Sequence, residues 1–228
     1  MNSKTSSRTQ ASGPSQASTG YAKGEQTRTR ILAVALEVFG SRGFDGSTTR
    51  EIVEQAGVNL PALKYYFGGK GQLYLACAQY IVRDYGDRVG AIAAPALEAL
   101  KTDASREEYA AHLKQIMSAL CKYLLLSDKA LNRTLFISRE MTSPGPAFEL
   151  LYSELWNPGT LLVSALVERT SGGAVHSDEA LIRAMMMLSS ITGLAMGRNV
   201  VARGILKGDM TELVRHNLDL QIDQLLHL

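Results

Sequence analysis

Arg50, Lys64, Tyr65, Tyr66 and Lys70 stand close together in the sequence, and none of them is needed to build an apolar helix face. Two lysines, an arginine and two phenols are cations and hydrogen-bond donors, the groups that hold phosphate oxygens. Lys70 follows Gly68-Gly69 and sits where the next helix is expected to begin. A cation at a helix N-terminus opposes the helix dipole. Its position makes sense if the partner is an anion, which both the helix N-terminus and the lysine attract.

The elements that carry these residues can be read from spacing. Ile52, Val53 and Ala56 share one helical face; Gly57 interrupts it, Val58 resumes it, and Leu63 and Phe67 continue at a spacing of four. Two short amphipathic helices joined by a glycine turn are the layout of a helix-turn-helix. Thr48 with Glu51 predicts a capping box for the first helix. Gly57 suits the left-handed residue that ends it. Asn59 is the expected N-cap of the second helix, and Pro61 falls in its first turn, where a missing N–H costs little. In such a motif the second helix enters the major groove with its N-terminal residues near base edges. Asn59, Leu60, Pro61, Ala62 and Tyr65 are the candidate base readers. Asn59 suits an adenine edge, and Leu60, Pro61 or Ala62 suits a thymine methyl. Thr48, Thr49, Lys64, Tyr66 and Lys70 are the candidates for phosphate.

Residues 27 to 75 resemble the DNA-binding domain of the TetR family of bacterial transcriptional repressors. The resemblance rests on Phe39, Gly43-Phe44, Thr48-Thr49, Ile52, Ala56-Gly57-Val58, Leu63, Phe67, Lys70 and Leu73. It implies that Arg50, just after the second threonine, reaches a guanine. One position departs from the pattern: Lys64 stands where the family most often has a tyrosine touching the DNA backbone. A lysine there reaches phosphate as a flexible point charge. A second similarity, to one TetR subgroup with its own C-terminal ligand and dimer domain, is carried by Arg139-Glu140-Met141, Pro144, Ala147-Phe148 and Leu155 through Pro158.

The 228 residues allow one large or two small domains with a buried core. Proline is scarce, and Ala, Leu, Glu, Gln and Arg dominate long stretches, which points to an all-α chain. Net charge is +2, divided unevenly: residues 1–90 hold 11 Lys/Arg against 7 Asp/Glu, and the remainder is mildly acidic. A basic head on an acidic body suits a nucleic-acid contact at one end. No apolar run of the ~18 residues of a membrane span is read from the sequence. The first 24 residues carry no apolar core, so no secretory leader is expected there. Cys77 and Cys121 stand alone and read as buried thiols of a reducing cytoplasm. His112, His176, His216 and His227 are scattered, and no HExxH, Cys-x-x-Cys, G-x-S-x-G or phosphate-binding glycine loop occurs. No cofactor, metal or enzymatic activity is expected.

Along the chain, residues 1–24 are expected to be a polar tail without fixed structure, with Lys4, Arg8 and Lys23 able to brush phosphates. A first helix from about Glu25 to Ser41 braces the head, and its Thr27, Arg28 and Arg30 are further backbone candidates. A fourth helix from Lys70 to about Val89 leads into an alanine-rich connector from Gly90 to Asp103, broken at Pro95. The body follows as helices over Ser105–Leu126, Asp128–Met141, Ala147–Arg169 with a kink or break at Asn157-Pro158-Gly159, Ser177–Leu206 and Met210–Leu226.

The helix beginning at Ser177 is apolar nearly all round and carries small residues Ser189, Gly193 and Gly197 every four positions. This predicts pairing of two copies across a two-fold axis, which also fits palindromic half-sites. A pocket for a small apolar or amphipathic effector is expected among Met117, Leu120, Tyr123, Phe136, Arg139, Tyr152, Trp156 and Met186, with Arg139 and Glu140 as polar anchors. The whole reads as an all-α chain: a tail (1–24), a three-helix helix-turn-helix DNA-binding domain (25–72), and a helical ligand-binding and dimerisation domain (73–228). The expected partners are double-stranded DNA, a small-molecule effector and a second copy, with no membrane. A regulator controlled by a protein partner or acting as an activator, and a helical enzyme, are the alternatives.

Overall fold

The fold was taken from a computed structural model that describes residues 16–126, 130–197 and 209–228. The head is built from α1 (Gln16–Arg42), α2 (Thr49–Gln55) and α3 (Leu60–Phe67). α4 (Lys70–Tyr85) leads out of it, passes through a π turn at Gly86–Gly90 and continues as α5 (Ala91–Ala99). The body comprises α6 (Arg106–Cys121) with a π turn at Lys122–Leu126, α7 (Ala130–Thr142), α8 (Phe148–Leu151), a π turn at Tyr152–Trp156, α9 (Asn157–Thr170), α10 (Ser177–Met196) and α11 (Met210–Leu226). The described residues contain no strand.

Several local expectations need correction. α1 begins at Gln16, so residues 16–24 are helical; Lys4 and Arg8 lie outside the described residues. The connector after Val89 is not broken at Pro95. The helix runs through it to Ala99, with the π turn one helical turn upstream of the proline. Pro158 does not split its helix either, because the π turn at Tyr152–Trp156 ends as α9 starts and leaves the proline in a first turn. The expected end of α10 at Leu206 falls outside the described residues. By length and composition α10 is long and apolar enough to cross a membrane, a property the sequence reading missed. Asp178, Glu179 and Arg183 obscured it by standing in its first two turns.

Two apolar clusters organise the chain. One joins Ile31, Ala35 and Phe39 of α1, Ile52, Leu63 and Phe67 of the turn motif, and Leu73, Tyr74, Cys77 and Ile81 of α4. It continues into Phe136 and Ile137 of α7 and Leu151 and Leu155 near α8, so body helices complete the core of the head. The other joins α6, α9, α10 and α11 through residues such as Leu113, Met117, Leu166, Ile191 and Ile222. Tyr85 packs against both.

α1 and α7 approach closely at Gly40, where a Cβ would lie 2.7 Å from the Asn132 carbonyl oxygen. Arg139 donates from Nε to Gly40 O at 2.8 Å and from Nη2 to Ser41 O. A cation on the last carbonyls of α1 satisfies groups the helix itself leaves open. Glu140, buried, accepts from Tyr74 Oη at 2.6 Å and from the Gly145 N–H at 3.1 Å. Burial first, then the bond to Glu140, pushes the Tyr74 phenol far above its ordinary range.

Candidate nucleic-acid interface

Local chemistry sets the turn. Thr48 Oγ1 accepts the Glu51 N–H at 3.2 Å and starts α2. Only this half of the expected capping box is made; the Glu51 carboxylate turns instead to Arg42 Nη1 at 3.1 Å and Gln55 Nε2 at 3.2 Å. That pairing ties α2 to the end of α1. Gly57 holds φ +60°, the left-handed region. Asn59 Oδ1 then accepts the Ala62 N–H at 2.9 Å, with Pro61 in the first turn of α3.

Leu63 and Phe67 bury one side of α3 in the head core. At about 100° per residue, Pro61 and Tyr65 point directly away from that side, and Ala62 and Lys64 flank them. Tyr65 is 83% exposed and packs edge-on against Tyr66 at 5.0 Å. Asn59, Leu60, Pro61 and Lys64 are exposed and Ala62 half-buried. The outer side of α3 is therefore free to enter a groove. Because Asn59 Oδ1 already serves as the cap, its amide N–H groups are the part available to a base.

The cations frame this surface. Arg50 and Thr48 are exposed on α2 and its cap, and Thr49 is half-buried. Lys70 is the first residue of α4, whose first turn holds no acidic residue and whose N-cap, Gly69, makes no side-chain hydrogen bond. Its Nζ lies 4.5 Å from the centroid of the Phe44 ring. Among the described residues no carboxylate forms an ion pair with Arg50, Lys64 or Lys70. α1 braces the recognition helix as expected, through particular contacts that the sequence does not specify: Arg28 lies over Phe67 at 5.3 Å, and a Cβ at Gly24 would touch Tyr66 Oη at 3.4 Å. No local pattern announces a contact between residues so far apart in the chain.

The expected effector residues are not brought together. Met117, Leu120 and Tyr123 belong to the body core and Phe136 to the head core. Trp156 is half-buried beside the head core; Tyr152 and Met186 are exposed, Met186 at 67%. Arg139 and Glu140, the expected polar anchors, join head to body through Gly40, Ser41 and Tyr74. Ser189 and Gly193 are exposed on α10, and Gly197, its C-cap, is half-buried. Cys77 and Cys121 are buried free thiols. Among the described residues no His, Cys, Asp and Glu group has the arrangement of a metal site.

Residues 31–77 match the N-terminal domain of the family described as "Bacterial regulatory proteins, tetR family". Residues 109–226 match the C-terminal domain of the HTH-type transcriptional dual regulator CecR. CecR from Shigella flexneri is 31% identical over 211 residues, covering 90% of this chain and 93% of that protein. In fold, a TetR-like transcriptional regulator from Rhodococcus sp. RHA1 aligns with a TM-score of 0.63 at 18% identity, over 87% of this chain and 94% of its own. AibR, in a structure with isovaleryl coenzyme A and operator DNA, aligns at 0.59 with 14% identity, over 85% of this chain and 96% of its own. With its recognition helix outward, its unpaired cations around it and these matches over both halves, the chain belongs to the TetR family and is a DNA-binding transcriptional regulator.

Proposed function

We propose that the chain acts as a cytoplasmic homodimeric repressor that binds a palindromic operator and is released by a small apolar or amphipathic effector. Residues 25–72 read DNA in this account, and residues 73–228 dimerise and sense the effector. The observation that carries the dimer is the outward face of α10. Ala180, Ala184, Met187, Ile191 and Ala195 bury one side of this helix, while Ile182, Met185, Met186 and Met196 are exposed together with Ser189 and Gly193. At 100° per residue the exposed set falls on one face, a continuous apolar stripe with a small-residue centre. A second copy laid on this stripe would give a two-fold dimer with paired recognition helices, the arrangement that reading of palindromic half-sites requires.

Release follows as a population shift: an effector that binds better to a head spacing unable to match adjacent grooves lowers operator affinity. AibR, in a structure with isovaleryl coenzyme A and operator DNA, supports the binding of a small molecule as well as DNA by this fold. The test is to find binders among small apolar and amphipathic compounds by thermal stabilisation, then titrate each against the operator complex. A binder that weakens operator affinity by ~10-fold supports release, in the range of ordinary allosteric coupling. Binders that leave operator affinity unchanged contradict it. CecR, a dual regulator, favours a second reading, in which the same dimer activates some promoters. Transcription in vitro from each bound promoter separates the two.

A further inference from the structure

The seam between head and body holds a buried ion pair that DNA reading does not use. Asp84, near the end of α4, accepts from Arg133 Nη1 at 2.9 Å and from Arg88 Nε at 2.8 Å. Arg133 stands on α7 and is 2% exposed. Its Nη2 donates to Tyr123 O at 3.0 Å, and its guanidinium lies 4.2 Å from the centroid of the Tyr123 ring. Burial raises the Tyr123 phenol above its ordinary range, with Arg133 opposing and Asp84 adding to the shift, so its hydroxyl senses both charges.

The donors here outnumber the acceptors. Arg133 Nε is buried without a hydrogen-bond partner, which is rare in native interiors and costly where it occurs. Asp84 engages Arg133 through one oxygen only and gives the other to Arg88. The guanidinium fork, which can take a carboxylate with two parallel bonds, is thus used at half its capacity by Asp84. A carboxylate not tethered to α4 can take Nε and an Nη together, the two-bond geometry that Asp84 does not make. Two π turns, Gly86–Gly90 just after Asp84 and Lys122–Leu126 containing Tyr123, meet at the same pair. Such turns interrupt helical hydrogen bonding and accompany functional sites.

We propose that Arg133 is a seat for the carboxylate of a small anionic effector, that Asp84 fills this seat in the effector-free chain, and that exchanging one carboxylate for the other frees the end of α4 from α7. α4 carries Lys70 at its other end, so loosening Asp84 changes how the head is held. The seat stands on the geometry alone; its effect on operator binding rests on the ligand-released reading above.

Asp84→Ala empties the seat, and acetate is the probe. In the full chain, acetate should raise the melting temperature of Asp84→Ala saturably, by about 3 °C, the shift that a modest binding energy gives a domain of this size. Acetamide should not, and the effect should vanish in Asp84→Ala/Arg133→Met. If Asp84→Ala does not fold, Asp84→Ser takes its place in the same comparison. No saturable effect, or an equal one in wild type and the double variant, overturns the seat. The operator arm tests the exchange. Asp84→Ala should bind operator ~10-fold more weakly, and acetate should restore its stability without restoring that affinity, because acetate is not joined to α4. Wild-type operator affinity in Asp84→Ala overturns the coupling. A wild-type chain that no binder releases from operator would instead sink the ligand-released reading, with the acetate result still standing.

Discussion

Lys70 carries the phosphate argument at the scale of single residues. It sits in a first turn without acids, on a helix whose cap makes no side-chain bond, with its ammonium resting on Phe44. A cation–π contact fixes the charge without neutralising it. Lys70→Ala should weaken binding to every sequence and flatten the log–log salt dependence by ~1 unit; equal slopes for mutant and wild type would remove Lys70 from the backbone contacts. Tyr65 points the opposite way from the head core and is almost fully exposed. Tyr65→Ala should change preference at one or two base pairs in a competition against single-base operator variants, at ~1–3 kcal/mol each. An unaltered profile would assign the ring to the backbone. Both placements, a lysine opening α4 and an outward phenol on α3, were legible in the sequence because each depends only on nearby residues. Arg139 and Glu140 were not: a charged pair on an apolar helix suits a ligand or a joint equally well. Only the approach of α1 and α4, about 100 and 66 residues away, decides for the joint.

The turn motif was readable among the elements because its devices are local. Thr48, Gly57, Asn59 and Pro61 act within four residues of themselves. Gly57 tests this directly. A Cβ there would meet nothing within 4 Å, so Gly57→Ala costs only the left-handed backbone, ~1–2 kcal/mol. Gly57→Asn should cost less in a urea titration, and equal losses for the two would show that packing, not conformation, selects glycine. The π turns escaped sequence reading. Two of them, Gly86–Gly90 and Tyr152–Trp156, lie just upstream of Pro95 and Pro158 in helices that continue past the proline, while Lys122–Leu126 has no proline near it. α10 makes its own prediction. Met186→Glu puts a charge on the exposed apolar stripe and, if two copies meet there, should raise the dimer dissociation constant by at least ~10-fold, the cost of burying an unpaired charge. An unchanged sedimentation profile would move the interface elsewhere.

At the scale of the whole molecule, head and body share apolar packing through α4, α7 and α8, so the boundary expected at residue 72 does not divide the apolar core. The sequence showed where charges lie but not this interlock, because the contacts join residues of both halves. Shared cores also bury both thiols. Burial pushes Cys121 up from near 9 to about 11, with Asp219 adding to the shift, and pushes Cys77 higher still. The folded chain therefore holds protons that the unfolded chain releases. Stability should be fully present below pH ~9 and decline as pH rises toward 11. The midpoint of urea unfolding should fall over that window, and Cys121→Ser should reduce the fall; a flat midpoint would contradict the burial of the thiols.

The most direct test of a dimeric, base-reading regulator is selection of bound DNA from a random-sequence pool at near-physiological salt. The account predicts an enriched palindrome with half-sites about one helical turn apart, whose bases next to α3 lose their preference in Tyr65→Ala. Folded protein that enriches no sequence, or a single unpaired half-site, would contradict it.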